Sequence, residues 1–188
     1  MFRKLFSIMA IFATLTSTQA LADDYSDTVA NFKSAPETAQ MFSTARAYAV
    51  FPTIGKGGIG IGGAHGKGRV FVNGQSIGET KMSQLSIGLQ LGGQAYSQII
   101  FFENQAALDN FTSGNFEFSA GASAIAITAS AQAQAGTSGS SANAGSSSEN
   151  SNQAGITYNN GMAVVTMGKG GLMYEASIAG QKYSFKAK

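Results

Sequence analysis

No cysteine and no tryptophan occur among the 188 residues, and there are only one histidine and two prolines. Without cysteine the chain has no thiol nucleophile, no disulfide and no thiolate ligands for zinc or iron–sulfur clusters. A lone His65 leaves no histidine cluster for a metal. Charge is scarce as well. Asp, Glu, Lys and Arg make up 12 % of the chain, about half the usual quarter, which argues against a coiled coil or a highly charged disordered chain. Glycine is abundant at 24 residues, with much Ala and Ser beside it. That composition suits a weakly charged, β-rich domain, and it points to no cofactor, no metal and no catalytic residue.

Residues 1–22 read as an export leader. Arg3 and Lys4 form a positive start, Leu5 to Leu15 an apolar stretch, and Ala20-Leu21-Ala22 a small-residue cleavage site before Asp23. An apolar stretch of 11 residues spans roughly 17 Å as a helix, short of the ~30 Å hydrocarbon core. The expectation is a cleaved leader and a single domain over 23–188, periplasmic or extracellular and peripherally membrane-associated.

The placement of charge says more than its total. Removing the leader takes Arg3 and Lys4 and with them the formal +2 of the whole chain, so a globally basic nucleic-acid binder is not expected. Residues 46–81 carry a net +4 from Arg46, Lys56, Lys67, Arg69 and Lys81 against Glu79. Residues 82–168 contain no Lys or Arg, and 169–188 carry a net +3. If the two basic segments adjoin, they make a positive face. The plainer reading is solvated lysines that protect sheet edges.

Two helices are expected first. Ser34-Ala35-Pro36-Glu37 fits a capping box with Ser34 as N-cap. Met41, Phe42, Ala45 and Ala49 then fall on one helical stripe, ended at Val50-Phe51-Pro52. From Ile54 onward the period becomes two: Ile59, Ile61, Val70 and Val72 alternate with Gly or polar residues. Asn73-Gly74 is a hairpin turn pair. Strands are expected over Ser86–Gly93 and Tyr96–Phe102, with a short helix at 104–111 capped by Asn104. The small-residue alternation of Phe116–Ala135 suggests a closely packed strand pair. Thr137–Ala154 has no bulky apolar residue and reads as a mobile Ser/Gly/Asn-rich loop. Further strands are read at Ile156–Tyr158, Met162–Met167, Leu172–Ile178 and Lys182–Phe185, with turns at Asn160-Gly161, Gly168–Gly171 and Gly180-Gln181.

Gly58-x-Gly60-x-x-Gly63 matches a dinucleotide fingerprint in letters, but it lies in a β-period segment with no helix after it. His65, between Ala64 and Gly66, reads as an exposed turn residue. Glu103, Asp109 and Glu117 have no spacing that selects a carboxylate pair. Glycines at 55, 57, 58, 60, 62, 63, 66 and 68 instead clear one face of a strand and its turn, with Gly57, Gly58, Gly60, Gly62 and Gly63 read as close-approach positions. They form either a tight corner where another backbone passes or a smooth groove flanked by Lys56, Lys67 and Arg69 as phosphate partners.

Tyr48 to Pro52 (Tyr-Ala-Val-Phe-Pro), the glycine run Gly55–Gly63 and Gly66-Lys67-Gly68 together resemble the opening of the SYLF domain, also called the Ysc84 actin-binding domain. Ser86–Gln94 is similar to its second signature, and Ile99–Phe102 with Ala107–Phe111 to the strand and helix that follow. Gly121–Ala124 and Gly171–Gly180 resemble the remainder, so the likeness runs from about 28 to 185. The resemblance implies a lipid-binding module that recognises membrane phospholipids, phosphoinositides in eukaryotic members, some of which also bind actin. For an exported chain the partner implied is anionic phospholipid of a cell envelope, not actin.

The fold expected is α+β and β-rich: a closed or nearly closed antiparallel sheet, barrel- or sandwich-like, with two N-terminal helices and the short third one. The function expected is non-enzymatic phospholipid binding. Charge placement nominates Lys56, Lys67, Arg69, Lys81, Lys169 and Lys182 for headgroups. The rival is a structural or protein-interaction module of the envelope that uses the 137–154 loop or a sheet edge.

Overall fold

The computed structural model describes residues 19–88, 94–119, 122, 124–127, 156–169 and 178–188. Residues 1–18 of the expected leader, the expected loop over 137–154, and the parts of the expected strands at 89–93, 128–135 and 172–177 lie outside them. Helices α1 (Gln19–Ser34) and α2 (Pro36–Thr44) come first, then β1 (Ala47–Val72), β2 (Gln75–Gly88), β3 (Gln94–Phe102), α3 (Gln105–Thr112), β4 (Phe116–Glu117), β5 (Ile125–Ile127), β6 (Met162–Lys169) and β7 (Lys182–Ala187). The point expected for leader cleavage, after Ala22, falls inside α1.

The strands form one sheet in the order β4-β7-β2-β1-β3-β6-β5. All described pairings are antiparallel except that of β5 with β6. The sheet curls into a half-barrel and does not close. Its ends are β4 and β5, and no described pairing joins them. The physical reason lies in the hollow. Leu108 and Phe111 of α3, with Phe116 and Phe118, fill the inner face against Phe51, Met82, Phe102 and Tyr183, so apolar burial is completed without a closing strand.

β1 is not a straight ribbon. Extended backbone rises about 3.3 Å per residue, so Tyr48 and Phe71 would lie roughly 75 Å apart, yet their rings stack at 5.3 Å. The strand therefore doubles back. Its first half pairs with β3, from Ala47↔Phe102 to Lys56↔Gln94, and its second half pairs with β2, from Gly60↔Gly88 to Val72↔Gln75. The halves meet across Phe51 and Gly68, then across Ile54 and Gly66. The latter contact is slipped by one residue, as is the β1–β3 register between Phe51 and Ile54. Midway between these contacts is the run that holds Gly57, Gly58 and Gly60, and Gly58 takes φ +151°, a backbone region that side chains avoid.

Expected features that hold include Asn73-Gly74, where both residues have positive φ in the β1–β2 turn, and β3, which is buried on both faces. Asn104 caps α3 by accepting from the Ala107 N–H at 3.0 Å. The turns after Asn159 and before Gln181 place Gly161 and Gly180 at positive φ, but the second is centred on Ala179-Gly180, with Gln181 buried beyond it.

Other expectations change. Ala35, not Ser34, is the α2 N-cap. Ser34 Oγ donates to Asn31 O instead, while the buried Thr38 hydroxyl donates to the carbonyls of Phe32 and Ala35. α2 also ends at Thr44 rather than near Val50, because Arg46 N–H donates to Phe102 O at 2.8 Å and starts the ladder with β3. Pairing puts Ala49 on the inner face and Val50 on the outer one. Ile156–Tyr158 is not a strand; only Asn159 bridges, to Met162. His65 stands in mid-strand opposite Ser83, exposed but not in a turn.

Candidate functional site: an uncovered cationic sheet face

The two faces of the sheet are finished differently along its width. Over the first half of β1, β3 and β6, the outer face is covered by α1 and α2 through Phe32, Ala35, Met41 and Phe42 against Val50, Ile99, Phe101 and Val165. Over the second half of β1, β2 and β7 a described helix reaches it at one end alone, where Tyr25 and Val29 of α1 meet Arg69 and Phe71. There the side chains alternate strictly. Ala64, Val70, Met82 and Tyr183 go inward to the core, so the residues between them face out.

The outward residues line up in three cross-strand rows: His65–Ser83–Lys182, Lys67–Lys81–Ser184 and Arg69–Glu79–Lys186. Five cations thus share three strands, on an area of about 10 Å by 14 Å, with two carboxylates beside them: Glu79 within the rows and Glu117 of β4 opposite Lys182. Lys67, Lys81, Lys182 and Lys186 are exposed and Arg69 is half-buried. Neither Lys67, Lys81 nor Lys186 has a side-chain ion pair or hydrogen bond among the described residues. Lys182 approaches Glu117 at 3.6 Å, which offsets part of its charge. Arg69 lies 4.6 Å over the Tyr25 ring of α1. Burial pushes the Tyr25 hydroxyl up, with the Arg69 charge acting against that rise.

A groove of about 450 Å³ runs beside the patch, where α1 meets the sheet, lined by Tyr25, Val29, Tyr48 and Phe71 with Lys33 and Arg69 at its rim. A second, of about 560 Å³, lies at the patch's other end between Gly55, Gly63, His65, Leu85, Glu117 and Lys182. Leu85 is 85 % exposed, the one large hydrophobic residue so exposed among the described residues.

Of the six nominated cations, Lys67, Arg69, Lys81 and Lys182 are brought together. Lys56 and Lys169 are not. Lys56 ends the first half of β1 opposite Gln94, and Lys169 ends β6, where its Nζ donates to Thr53 Oγ1 at 2.8 Å. Lys186 was missed, although it follows Lys182 at the even spacing that keeps both on one face of a strand. The glycine reading also shifts. A side chain at Gly57 would meet nothing, and one at Gly63 would make only an ordinary contact with Gln84 O at 3.4 Å. Close approach occurs at Gly66 and Gly68 of the same run, under Ile54 and Phe51, and also at Gly78 of β2, under Phe185. Of the carboxylates weighed for catalysis, Asp109 accepts from Gln105 Nε2 at 2.8 Å, and Glu117 lies 3.6 Å from Lys182 at the edge of the patch.

The inner face carries its own polar cluster. Gln98 Nε2 donates to Tyr183 OH at 2.7 Å and to Gln181 Oε1 at 3.2 Å. Tyr183 OH donates to Gln181 Oε1, and Gln181 Nε2 reaches Tyr96 OH at 3.2 Å. Gln84 ties this cluster to the last turn by donating to Ala179 O at 3.0 Å. All of these but the Tyr183–Gln181 bond join β2 or β3 to the C-terminal segment, so the cluster holds β7, and with it Lys182 and Lys186, in place beside β2.

The model of the Ysc84 family, described as Las17-binding protein actin regulator, matches residues 83–188. The match covers more than half of the chain, from mid-β2 through β7. It takes in Leu85, Lys182 and Lys186, while Lys67, Arg69 and Lys81 precede it. No curated protein matches the chain.

Proposed function

The chain belongs to the Ysc84 family, and on that premise we propose that it binds anionic phospholipid at a membrane surface, without catalysis, through the outer face of β1, β2 and β7. The observation that carries this reading is the direct opposition of Lys67 and Lys81 in an exposed row with no described helix over it. Like charges opposite one another cost stability in a sheet, and a face of water-exposed lysines gains when an anionic surface is offered. Each cation near such a bilayer is worth about 1 kcal/mol, so four or five give salt-sensitive attraction. The leader read in residues 1–22 supports placing this surface on the exported side of a cell envelope.

The test is co-sedimentation of the purified protein with neutral and anionic vesicles at low and high salt. Binding to anionic vesicles alone, relieved by salt and lost in Lys67→Glu/Lys81→Glu, is the expected result. Equal binding of this variant and the unaltered protein would overturn the proposed face. The family description favours a protein partner as the second reading. Sedimentation with filamentous actin but not with vesicles would establish that reading instead.

A further inference from the structure

Leu85 sits on the same outward alternation as Lys81 and Ser83, one step beyond the cationic rows. Its neighbours explain its exposure. Across the strand its partner is Gly63, which has no side chain to lean on it. On the other side the β7 ladder stops at Lys182, opposite Ser83, two residue pairs short of covering it. The strand ribbon then continues with Ile61 opposite Ile87. A leucine at this position exposes most of its surface to water, where any polar residue would satisfy the fold equally well.

We infer that Leu85 is an apolar anchor that enters the acyl layer when the cationic rows meet anionic headgroups, so that the protein docks with the Gly63–Leu85 end of the β1–β2 ribbon toward the bilayer. Charge complementarity selects the occupant. The cations of the neighbouring rows lie on the same face as Leu85, and the Lys182 side of the adjoining groove lies beside it. A surface that offers phosphate and hydrocarbon within a few ångströms of each other matches both. This inference rests on the phospholipid reading above and adds an orientation and a residue to it.

The chain has no tryptophan, so Leu85→Trp provides a single local reporter. On anionic vesicles its emission is expected to shift to the blue and to be quenched by lipids brominated along the acyl chain. Leu85→Ser is expected to weaken vesicle binding about tenfold, the effect of losing part of a buried leucine. Salt-sensitive sedimentation with no shift and no quenching would overturn the anchor and leave the charge-based surface standing. Emission already blue without vesicles would mean that residue 85 lies under the chain itself or a second copy, and would also overturn it. If the unaltered protein fails to sediment with any vesicle, both proposals fall together.

Discussion

Lys67 and Lys81 stand directly opposite each other on adjacent antiparallel strands, with Arg69 facing Glu79 in the next row. A sheet selected only for stability would place opposite charges in both rows. Lys81→Gln is therefore expected to raise stability slightly, by about 0.5 kcal/mol. The same change should weaken binding to anionic vesicles about fivefold, the equivalent of one surface cation. A urea titration and a vesicle titration on one variant read the two effects, and their opposite signs separate a binding role from a structural one.

The doubled-back β1 makes a second prediction. A Cβ at Gly68 would come within 2.6 Å of the Phe51 ring and 2.7 Å of Val50 O. The carbonyl belongs to paired backbone and cannot move aside cheaply. Gly68→Ala should cost about 2 kcal/mol or more. Gly57→Ala, with open space around it, should change stability by less than about 0.5 kcal/mol. Urea midpoints of the pair test whether glycine is required at the crossing of the two halves or throughout the run.

Asn104 offers a smaller, local test. Its side chain accepts from the Ala107 N–H at 3.0 Å, and Leu108 and Phe111 of the helix it caps are buried in the inner core. Asn104→Ala should cost about 1 kcal/mol. Asn104→Asp should recover most of it, since a carboxylate accepts the same bond and favours the helix start.

What could be read from the sequence follows the range of the interactions involved. Asn73-Gly74, the Asn104 cap and β3 are local features, set by residues within a few positions of each other. The end of α2 depends on a distant partner. Met41, Phe42, Ala45 and Ala49 make a good helical stripe, but the carbonyl of Phe102 captures the Arg46 N–H and turns the stripe's tail into strand. The reversal within β1 was hidden for a related reason. It has no Asn-Gly pair, and its turn is made from the same glycines that look like a smooth strand. The cationic face was half legible. Lys67, Arg69 and Lys81 share one ribbon, whereas the arrival of Lys186 beside them depends on β7 pairing with β2 across about a hundred residues.

The buried tyrosines predict how the fold responds to alkali. Burial pushes the Tyr96 hydroxyl up to about 12, the bond from Gln181 pulling it back only in part. Burial pushes that of Tyr183 well above 10, against the lowering effect of its bond with Gln98. Below about pH 10 both phenols are protonated in the folded and the unfolded chain, so they add no pH dependence. Above it the unfolded chain releases these protons and the folded chain holds them. Stability therefore falls as pH rises, by about 1.4 kcal/mol per pH unit for each tyrosine. For Tyr96 alone the loss reaches roughly 3 kcal/mol by about pH 12. Tyr96→Phe should flatten the slope by one tyrosine's share, while the Gln181 amide keeps Gln84 as an acceptor at 3.4 Å. Urea titrations of both proteins between about pH 9 and pH 12 measure the two slopes. Parallel slopes would mean that Tyr96 ionises as readily in the fold as in the open chain, and that the Gln98–Gln181–Tyr183 cluster does not seal the inner face.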